Sequence, residues 1–150
     1  MTAPISMSQN PAITIDDLSM QYGDATVLDS VSCDIPAGQW VSIVGPSGCG
    51  KSTLLRCVAG LTNPTTGMVQ LGGQQPAFVF QDPTLLPWRS AADNIQLPLE
   101  LEEQSMENRS DRILQVAQLV GLDATDINKY PRELSGGMRM RVSIARALVM

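Results

Sequence analysis

Apolar and polar residues follow a strand-like pattern in the first part of the chain. Apolar residues from Ile13 to Met20 predict a strand that ends near Tyr22, and Gly23 marks the turn after it. A second strand region is predicted between residues 27 and 35. Residues 1–11 show no periodicity and are predicted to form a loose tail.

The middle of the chain predicts three further strands and one helix. Residues 40–44, with the sequence WVSIV, predict a buried strand, and leucine and valine at helical spacing predict a helix that Gly60 ends. Short apolar runs at residues 68–71 and 77–80 predict two more strands. A glycine-rich segment connects the strand at 40–44 to the helix.

Helical patterns dominate after residue 81. A loop that Gln81 opens carries the apolar residues 85–88. Apolar residues at helical spacing between 113 and 120 predict a helix that Gly121 ends. A last helix is predicted from residue 138 onward, with apolar residues on one face at Met138, Val142, Ala145 and Val149.

Composition and charge limit the classes of protein to which the chain can belong. At 150 residues and 43% hydrophobic residues, the chain can form one domain with a core. Ten basic and 15 acidic residues give a net charge of −5, and residues 1–50 contain neither Lys nor Arg. Because nucleic-acid-binding surfaces normally carry a basic footprint, this balance argues against a nucleic-acid partner.

The N-terminal residues, which include no Lys or Arg, are a poor secretory signal, and no apolar stretch in the sequence is long enough to span a bilayer. Three cysteines, an odd number without metal-like spacing, suggest reduced thiols in the cytosol. There is no histidine in the sequence, so acid–base chemistry or metal binding by histidine is excluded within these residues.

The strongest motif is GPSGCGKST, which fits the phosphate-loop pattern G-x-x-x-x-G-K-[ST] between a predicted strand and a predicted helix. Glycines let backbone N–H groups converge on a phosphate, and the helix adds the positive end of its dipole. Lys51 can reach the β- and γ-phosphates, and the Ser52 hydroxyl can bind Mg²⁺. The candidate phosphate-binding residues are Gly45, Pro46, Ser47, Gly48, Cys49, Gly50, Lys51, Ser52 and Thr53.

A second helix start capable of binding an anion lies at residues 134–138, with the sequence LSGGM. Taken alone, Ser135 can be a simple N-cap. Two phosphate-competent helix starts with Gln81 between them resemble the ATP-binding subunits of ATP-binding-cassette (ABC) transporters. Residues 134–148 resemble the family signature and its helix, and the resemblance covers roughly residues 12–150. Residues 79–89, with VFQDPTLLPWR, most resemble the importers of nitrate, sulfonates and taurine.

The resemblance implies an α/β fold. It consists of a P-loop NTPase core with an N-terminal antiparallel β subdomain and an α-helical subdomain, truncated at the C-terminus. The implied organisation is a tail at 1–11, a nucleotide-binding α/β core at 12–81 and a helical subdomain with the signature motif at 82–150. Guanylate-kinase-like enzymes share the phosphate-loop string, but a nucleoside-monophosphate kinase has no reason to carry the LSGGM segment.

The resemblance also implies roles for single residues, with ATP and Mg²⁺ as cofactors. Tyr22 would stack on adenine, although a packing role at a strand edge is equally compatible with the sequence. Lys51 and Gln81 would be catalytic, and Ser52 and Gln81 would bind Mg²⁺. The γ-phosphate held by a second, head-to-tail ATPase subunit would be bound by Ser135, Gly136 and Gly137.

The implied partners are transmembrane permease subunits, contacted near Leu85 and Trp88, and indirectly a periplasmic or extracellular solute-binding protein. The implied location is the cytoplasmic face of the cell membrane, as a peripheral subunit. A buried position for Trp88 remains the alternative. For the three arginines of the last helix, solvated charges and local ion pairs are favoured; these are Arg139, Arg141 and Arg146.

The sequence departs from the family where a hydrophobic strand ending in Asp-Glu, and later a histidine, would follow the last helix. The run at 77–82 ends in an acid but occupies the glutamine-loop position, and the segment 67–78 is short for this branch. We therefore expect an N-terminal part of a longer ATPase, with an incomplete core, weak ATP binding and no turnover by residues 1–150 alone.

Two alternative functions remain. One is a non-catalytic module that dimerises on ATP, and the other is a soluble ABC ATPase acting on DNA or ribosomes.

Overall fold

The computed structural model describes residues 11–73, 76–102 and 109–150. The chain divides into two compact units, one ending at Pro76 and the other beginning at Ala77. The predicted boundary between residues 81 and 82 stays a prediction. The predicted tail lies outside the described residues except for Pro11, which begins the first strand.

The first unit contains a three-stranded antiparallel sheet with the strand order β2-β1-β3. Central strand β1 pairs with β2 on one side, where Ile15 faces Cys33, and with β3 on the other, where Ile15 faces Val69. Three of the predicted strands and the predicted helix of this unit are confirmed. They are β1 (Pro11–Tyr22), β2 (Ala25–Pro36), β3 (Thr66–Leu71) and helix α1 (Lys51–Val58).

A bulge in β1 lets its apolar residues share one face of the sheet. Ile15 and Leu18 are both buried although strict alternation would place them on opposite faces. The pairing register shifts between them, and Asp17 has a φ of 46° with its N–H donating to Ser32 Oγ at 2.9 Å. The core of the unit therefore combines buried residues of both long strands and of α1: Ile15, Leu18, Met20, Leu28 and Cys57.

Two predicted strands are wrong: residues 40–44 and 77–80 have irregular backbone. Trp40 is fully exposed at 101% and Val44 is 89% exposed. A continuous apolar run predicts a strand buried on both faces, and such a strand needs a hydrogen-bonding neighbour on each side. Within the described ranges, the sheet β2-β1-β3 includes neither segment, so both lack the partners that would make them strands.

The second unit packs three helices around one apolar core. Helix α2 (Ala91–Leu101), helix α3 (Arg109–Leu119) and helix α4 (Gly136–Leu148) contribute its buried residues, and two short 3₁₀ turns (Asp126–Asn128 and Pro131–Glu133) precede α4. The two helices predicted by spacing are confirmed, and Gly121 follows α3 with a φ of 76°. The core residues are Ala91, Ile95, Leu99, Ile113, Val116, Ala117, Leu122, Leu134, Val142, Ala145 and Val149.

Helix α2 has a closed N-terminus. Ser90 Oγ accepts a hydrogen bond from the Asp93 N–H at 3.1 Å, and Asp93 Oδ2 accepts one from the Ser90 N–H at 3.2 Å. This capping box satisfies the first amides of the helix and places an acid in its first turn. Among the described residues, no helix is long and apolar enough to cross a bilayer.

The burial of the three cysteines predicts an order of thiol reactivity. Cys57 is buried at 4% exposure and burial raises the pKa of its thiol, whereas Cys33 and Cys49 are exposed. Because the thiolate is the reactive form, we expect iodoacetamide at pH 8 to label Cys57 at least about tenfold more slowly than the other two. Peptide mass spectrometry measures the rates, and denatured protein is the control. Equal rates in the native protein would contradict this packing of α1.

Candidate functional site

The phosphate loop leads directly into α1, and Gly50 holds it against strand β2. Gly50 precedes the helix with a φ of 92°. A Cβ at this position would lie 2.8 Å from Val27 O and 2.9 Å from Leu28 Cδ2. Glycine is therefore required both by the left-handed backbone and by the close approach of the loop to β2.

Lys51 turns back across the loop that precedes it. Its Nζ donates to Pro46 O at 2.6 Å and to Gly45 O at 2.9 Å, and lies 3.7 Å from Cys49 Sγ. These carbonyls are neutral acceptors, so an anionic phosphate would be a stronger partner for the ammonium group. The geometry places the positive charge over the backbone of the loop.

The first turn of α1 is open to an anion. No side chain caps this helix and no acid lies in its first turn. Ser52 is exposed, and so are the loop residues 45–49. Because the first amides of a helix have no partner within the helix, this end can bind a phosphate group while the exposed Ser52 hydroxyl offers one oxygen to a divalent cation.

Tyr22 lies at the same end of the hairpin as the phosphate loop. It pairs with Ala25, two residues before the Val27 carbonyl against which Gly50 packs. Tyr22 is 50% exposed, so part of the residue is accessible to a ligand. Its role in stacking on a base stays a prediction.

The start of α4 carries one side-chain cap and is otherwise exposed. Ser135 Oγ accepts the Met138 N–H at 3.2 Å, and no acid lies in the first turn. Gly136 and Gly137 are exposed. A Cβ at Gly137 would meet nothing within 4 Å, and one at Gly136 only the end of the Arg139 side chain at 3.9 Å. Since alanine would fit both positions and glycine costs up to about 1 kcal/mol in a helix, packing within the described residues does not explain the two glycines.

The predicted site residues fall in both units. The phosphate loop and Tyr22 belong to the first unit, and the second contains Gln81 and residues 135–137. Gln81 is exposed on irregular backbone. In the ranges 11–73, 76–102 and 109–150, no cluster of three or more His, Cys, Asp or Glu residues forms a metal site. Mg²⁺ binding by Ser52 and by Gln81 stays a prediction for each residue.

The loop after Gln81 presents one large aromatic side chain to solvent. Leu85 packs against the helical core, whereas Trp88 is 71% exposed, so the alternative of a buried Trp88 is wrong. Completely buried Asn94 holds the backbone of this loop. Its Oδ1 accepts the Leu86 N–H at 2.8 Å, and its Nδ2 donates to three carbonyl oxygens, of Leu86 (3.2 Å), Arg89 (3.1 Å) and Ser90 (2.9 Å).

Sequence reasoning did not identify Asn94 as a structural residue. The sequence feature that could have identified it is its position three residues after Ala91 and directly before Ile95. Both neighbours are fully buried, and Asn94 lies on the same helical face as Ala91. A buried amide must find partners, and the loop before the helix is the nearest source of free carbonyl groups.

For the three arginines of α4, the prediction of solvated charges is confirmed for Arg141, which is exposed, and is wrong for Arg139 and Arg146, which are partly buried. Each donates to main-chain carbonyl groups: Arg139 to Leu134 O at 3.1 Å, Arg141 to Gly121 O at 2.9 Å, and Arg146 to Thr84 O and Pro83 O at 3.1 Å. In the part of the chain that the structure describes, the ion pairs involve other cations, Arg89 with Glu100 and Lys129 with Asp126. Burial lowers the pKa of Arg146 from its ordinary value.

The chain is similar to ATP-binding proteins of importers. An aliphatic sulfonates import ATP-binding protein of Mesorhizobium japonicum is 42% identical over 150 residues, covering 97% of this chain and 56% of that protein. A xylose/arabinose import ATP-binding protein of Haloferax volcanii is 40% identical over 148 residues, covering 91% of this chain and 38% of that protein. The chain thus spans about half the length, or less, of these curated relatives.

Solved structures confirm the predicted fold class. A dimeric bacterial ABC transporter cassette is similar with a TM-score of 0.84 and 34% identity, over 91% of this chain and 69% of that chain. A post-hydrolysis state of an ATP-binding cassette bound to ADP and Pi gives a TM-score of 0.82 and 32% identity, with the same coverage. The family model described as ABC transporter matches residues 28–150. The chain belongs to the ABC transporter family.

Proposed function

We propose that the chain acts as the ATP-binding subunit of a membrane importer and couples ATP binding and hydrolysis to the uptake of a small solute. The observation that carries this proposal is the phosphate loop, where Lys51 lies over the backbone and α1 begins without a side-chain cap or an acid. The β- and γ-phosphates of ATP would replace the Gly45 and Pro46 carbonyls as partners of Lys51.

The same loop supplies further contacts to MgATP. The amides between Gly45 and Thr53 would bind phosphate oxygens, and Ser52 with Gln81 would bind Mg²⁺. Gln81 would also orient the attacking water, as the family resemblance implies. Tyr22 would stack on the adenine, since the residue is half exposed at the loop end of the hairpin.

The start of α4 would bind the γ-phosphate that a second, head-to-tail ATPase subunit holds. The bare surface at Gly136 and Gly137 supports this role, because a Cβ there would crowd an approaching phosphate and no internal contact requires glycine. Ser135 keeps its hydroxyl hydrogen available for donation while its oxygen caps the helix. A dimeric relative of 34% identity supports the pairing of two subunits.

The exposed Trp88 and its loop would contact the permease subunits at the cytoplasmic face of the membrane, and a solute-binding protein would act indirectly. We propose a solute such as nitrate, a sulfonate or taurine, on the resemblance of residues 79–89 and the sulfonate-import relatives. A relative named for xylose and arabinose import has similar identity, which supports selection of the solute by other subunits.

Hydrolysis needs positioned metal, oriented water and charge stabilisation together. Residues 1–150 contain no histidine and no apolar strand ending in Asp-Glu. We therefore propose that these residues by themselves bind ATP weakly without turning it over. ATPase activity of purified residues 1–150 that Lys51→Ala abolishes would contradict this proposal.

The position of Lys51 predicts a specific loss of nucleotide affinity. We expect Lys51→Ala to weaken MgATP binding by about tenfold or more, because it removes the cation that faces the loop. Equilibrium dialysis with labelled ATP measures the affinity. Lys129→Ala is the matched control, since Lys129 is the other lysine of the chain and pairs with Asp126. Equal affinities of Lys51→Ala and the unaltered protein would overturn the proposed phosphate site.

A substitution at Gly137 can test dimerisation without disturbing the fold, because a Cβ there meets no atom within 4 Å. We expect Gly137→Ala to fold with unchanged or slightly raised thermal stability, since alanine fits there and favours the helix. The added methyl group should abolish ATP-dependent dimerisation in sedimentation experiments. Gly73→Ala is the control, because a Cβ at Gly73 also meets nothing within 4 Å and lies in the first unit. A normal ATP-dependent dimer of Gly137→Ala would refute the proposed role of α4.

A further inference from the structure

Arg146 connects the last turn of α4 to the loop that follows Gln81. Its Nη1 donates to Thr84 O at 3.1 Å, and its Nη2 donates to Pro83 O at 3.1 Å and to Thr84 Oγ1 at 3.2 Å. No acid of the described residues forms an ion pair with this side chain. The guanidinium group is thus committed to the backbone of the loop, 62 positions away in sequence.

The segment that Arg146 holds is strained. Thr84 has a φ of 44°, a left-handed conformation that β-branched residues rarely adopt. Such a conformation persists where the surroundings determine it, and Arg146 bonds both the carbonyl and the hydroxyl of Thr84. The strain therefore indicates that the position of residues 83–84 depends on contacts from outside the loop.

The other half of the loop is held by a different helix. Asn94 in α2 bonds the backbone of Leu86, Arg89 and Ser90, as described for the site. Arg146 in α4 and Asn94 in α2 therefore fix the two ends of the segment between Pro83 and Ser90, and Trp88 projects from it into solvent.

Arginine suits this position for a geometric reason. Its planar fork presents two nitrogens to two neighbouring carbonyl groups at once, whereas a lysine ammonium is a single point of attachment. The side chain is half-buried, so its hydrogen bonds to the loop replace much of its contact with water.

We propose that Arg146 is a positioning residue that locks residues 83–84 to α4, so that the Trp88 loop and the helix start at Ser135 move together. Helix α4 carries the constraint over the 11 positions from Ser135 to Arg146, or about 16 Å. The proposal rests on the proposed function, in which the Trp88 loop contacts a permease and Ser135 contacts a phosphate. Arg146 itself touches neither.

The first arm of the test is amide hydrogen exchange of the full chain without nucleotide. We expect Arg146→Gln to raise exchange of the bonded amides of Leu86 and Arg89 by about tenfold, and Arg146→Lys by less, while the interior of α4 is unchanged. Arg141→Gln is the matched control, because Arg141 lies on the same helix and donates to Gly121 O. It should leave the loop unchanged. If Arg146→Gln fails to fold, Arg146→Lys carries the comparison.

The second arm is ATP turnover by the complete transporter in liposomes. We expect Arg146→Gln to lower kcat several-fold with an unchanged KM for MgATP, and Arg146→Lys to restore part of kcat. The positioning role is overturned if loop exchange is unchanged, if Arg141→Gln has the same effect, or if exchange rises while kcat stays normal. Absence of ATP turnover in the unaltered transporter would instead overturn the proposed function, and the exchange arm then still decides whether Arg146 holds the loop.

Discussion

The unsatisfied amides at the start of an α-helix are the constraint on which the candidate site depends. Helices α1, α2 and α4 differ in which groups bond these amides. Helix α2 begins with a complete capping box and an acid, Asp93, and is closed to anions. Helices α1 and α4 have no acid in the first turn and glycine at or beside the start. The same physical need is met by a complete capping box in α2 and by the single cap of Ser135 in α4, and no side chain meets it in α1.

Carbonyl groups of loops need hydrogen-bond donors, and in the second unit arginine side chains supply them. The segment that forms α4 contains three arginines and no acid, so ion pairs within the helix are impossible. Each guanidinium group instead binds the backbone of a loop or a helix end. The absence of acids from this helix was visible in the sequence. The identity of the carbonyl partners was not, because Gly121 and Thr84 are distant in sequence and meet α4 through folding alone.

The local spacing of apolar residues was sufficient to predict the helices and strands that make their backbone hydrogen bonds within themselves or with one another. Strands β1, β2 and β3 bond one another, and helices α1, α3 and α4 satisfy their own backbone, so apolar spacing identified them. Residues 40–44 and 77–80 have equally apolar sequences, but their strand state depends on neighbours outside the segment. The phosphate loop was predictable because its motif encodes backbone geometry directly. Asn94 was not, since an asparagine becomes structural only where a loop offers carbonyl groups to it.

The combination of a fixed backbone and an exposed aromatic ring bears on how the proposed permease contact would work. Trp88 is 71% exposed, yet hydrogen bonds from Asn94 and Arg146 fix the backbone on both sides of it. Ordering a flexible loop on binding costs free energy, and a loop ordered beforehand avoids that cost. Tryptophan is also among the residues that contribute most to protein interfaces when buried. A rigid loop transmits displacement as well, which a mobile one with the same side chain cannot do. In the proposed permease contact, this arrangement would make Trp88 an anchor through which the permease and α4 act on each other.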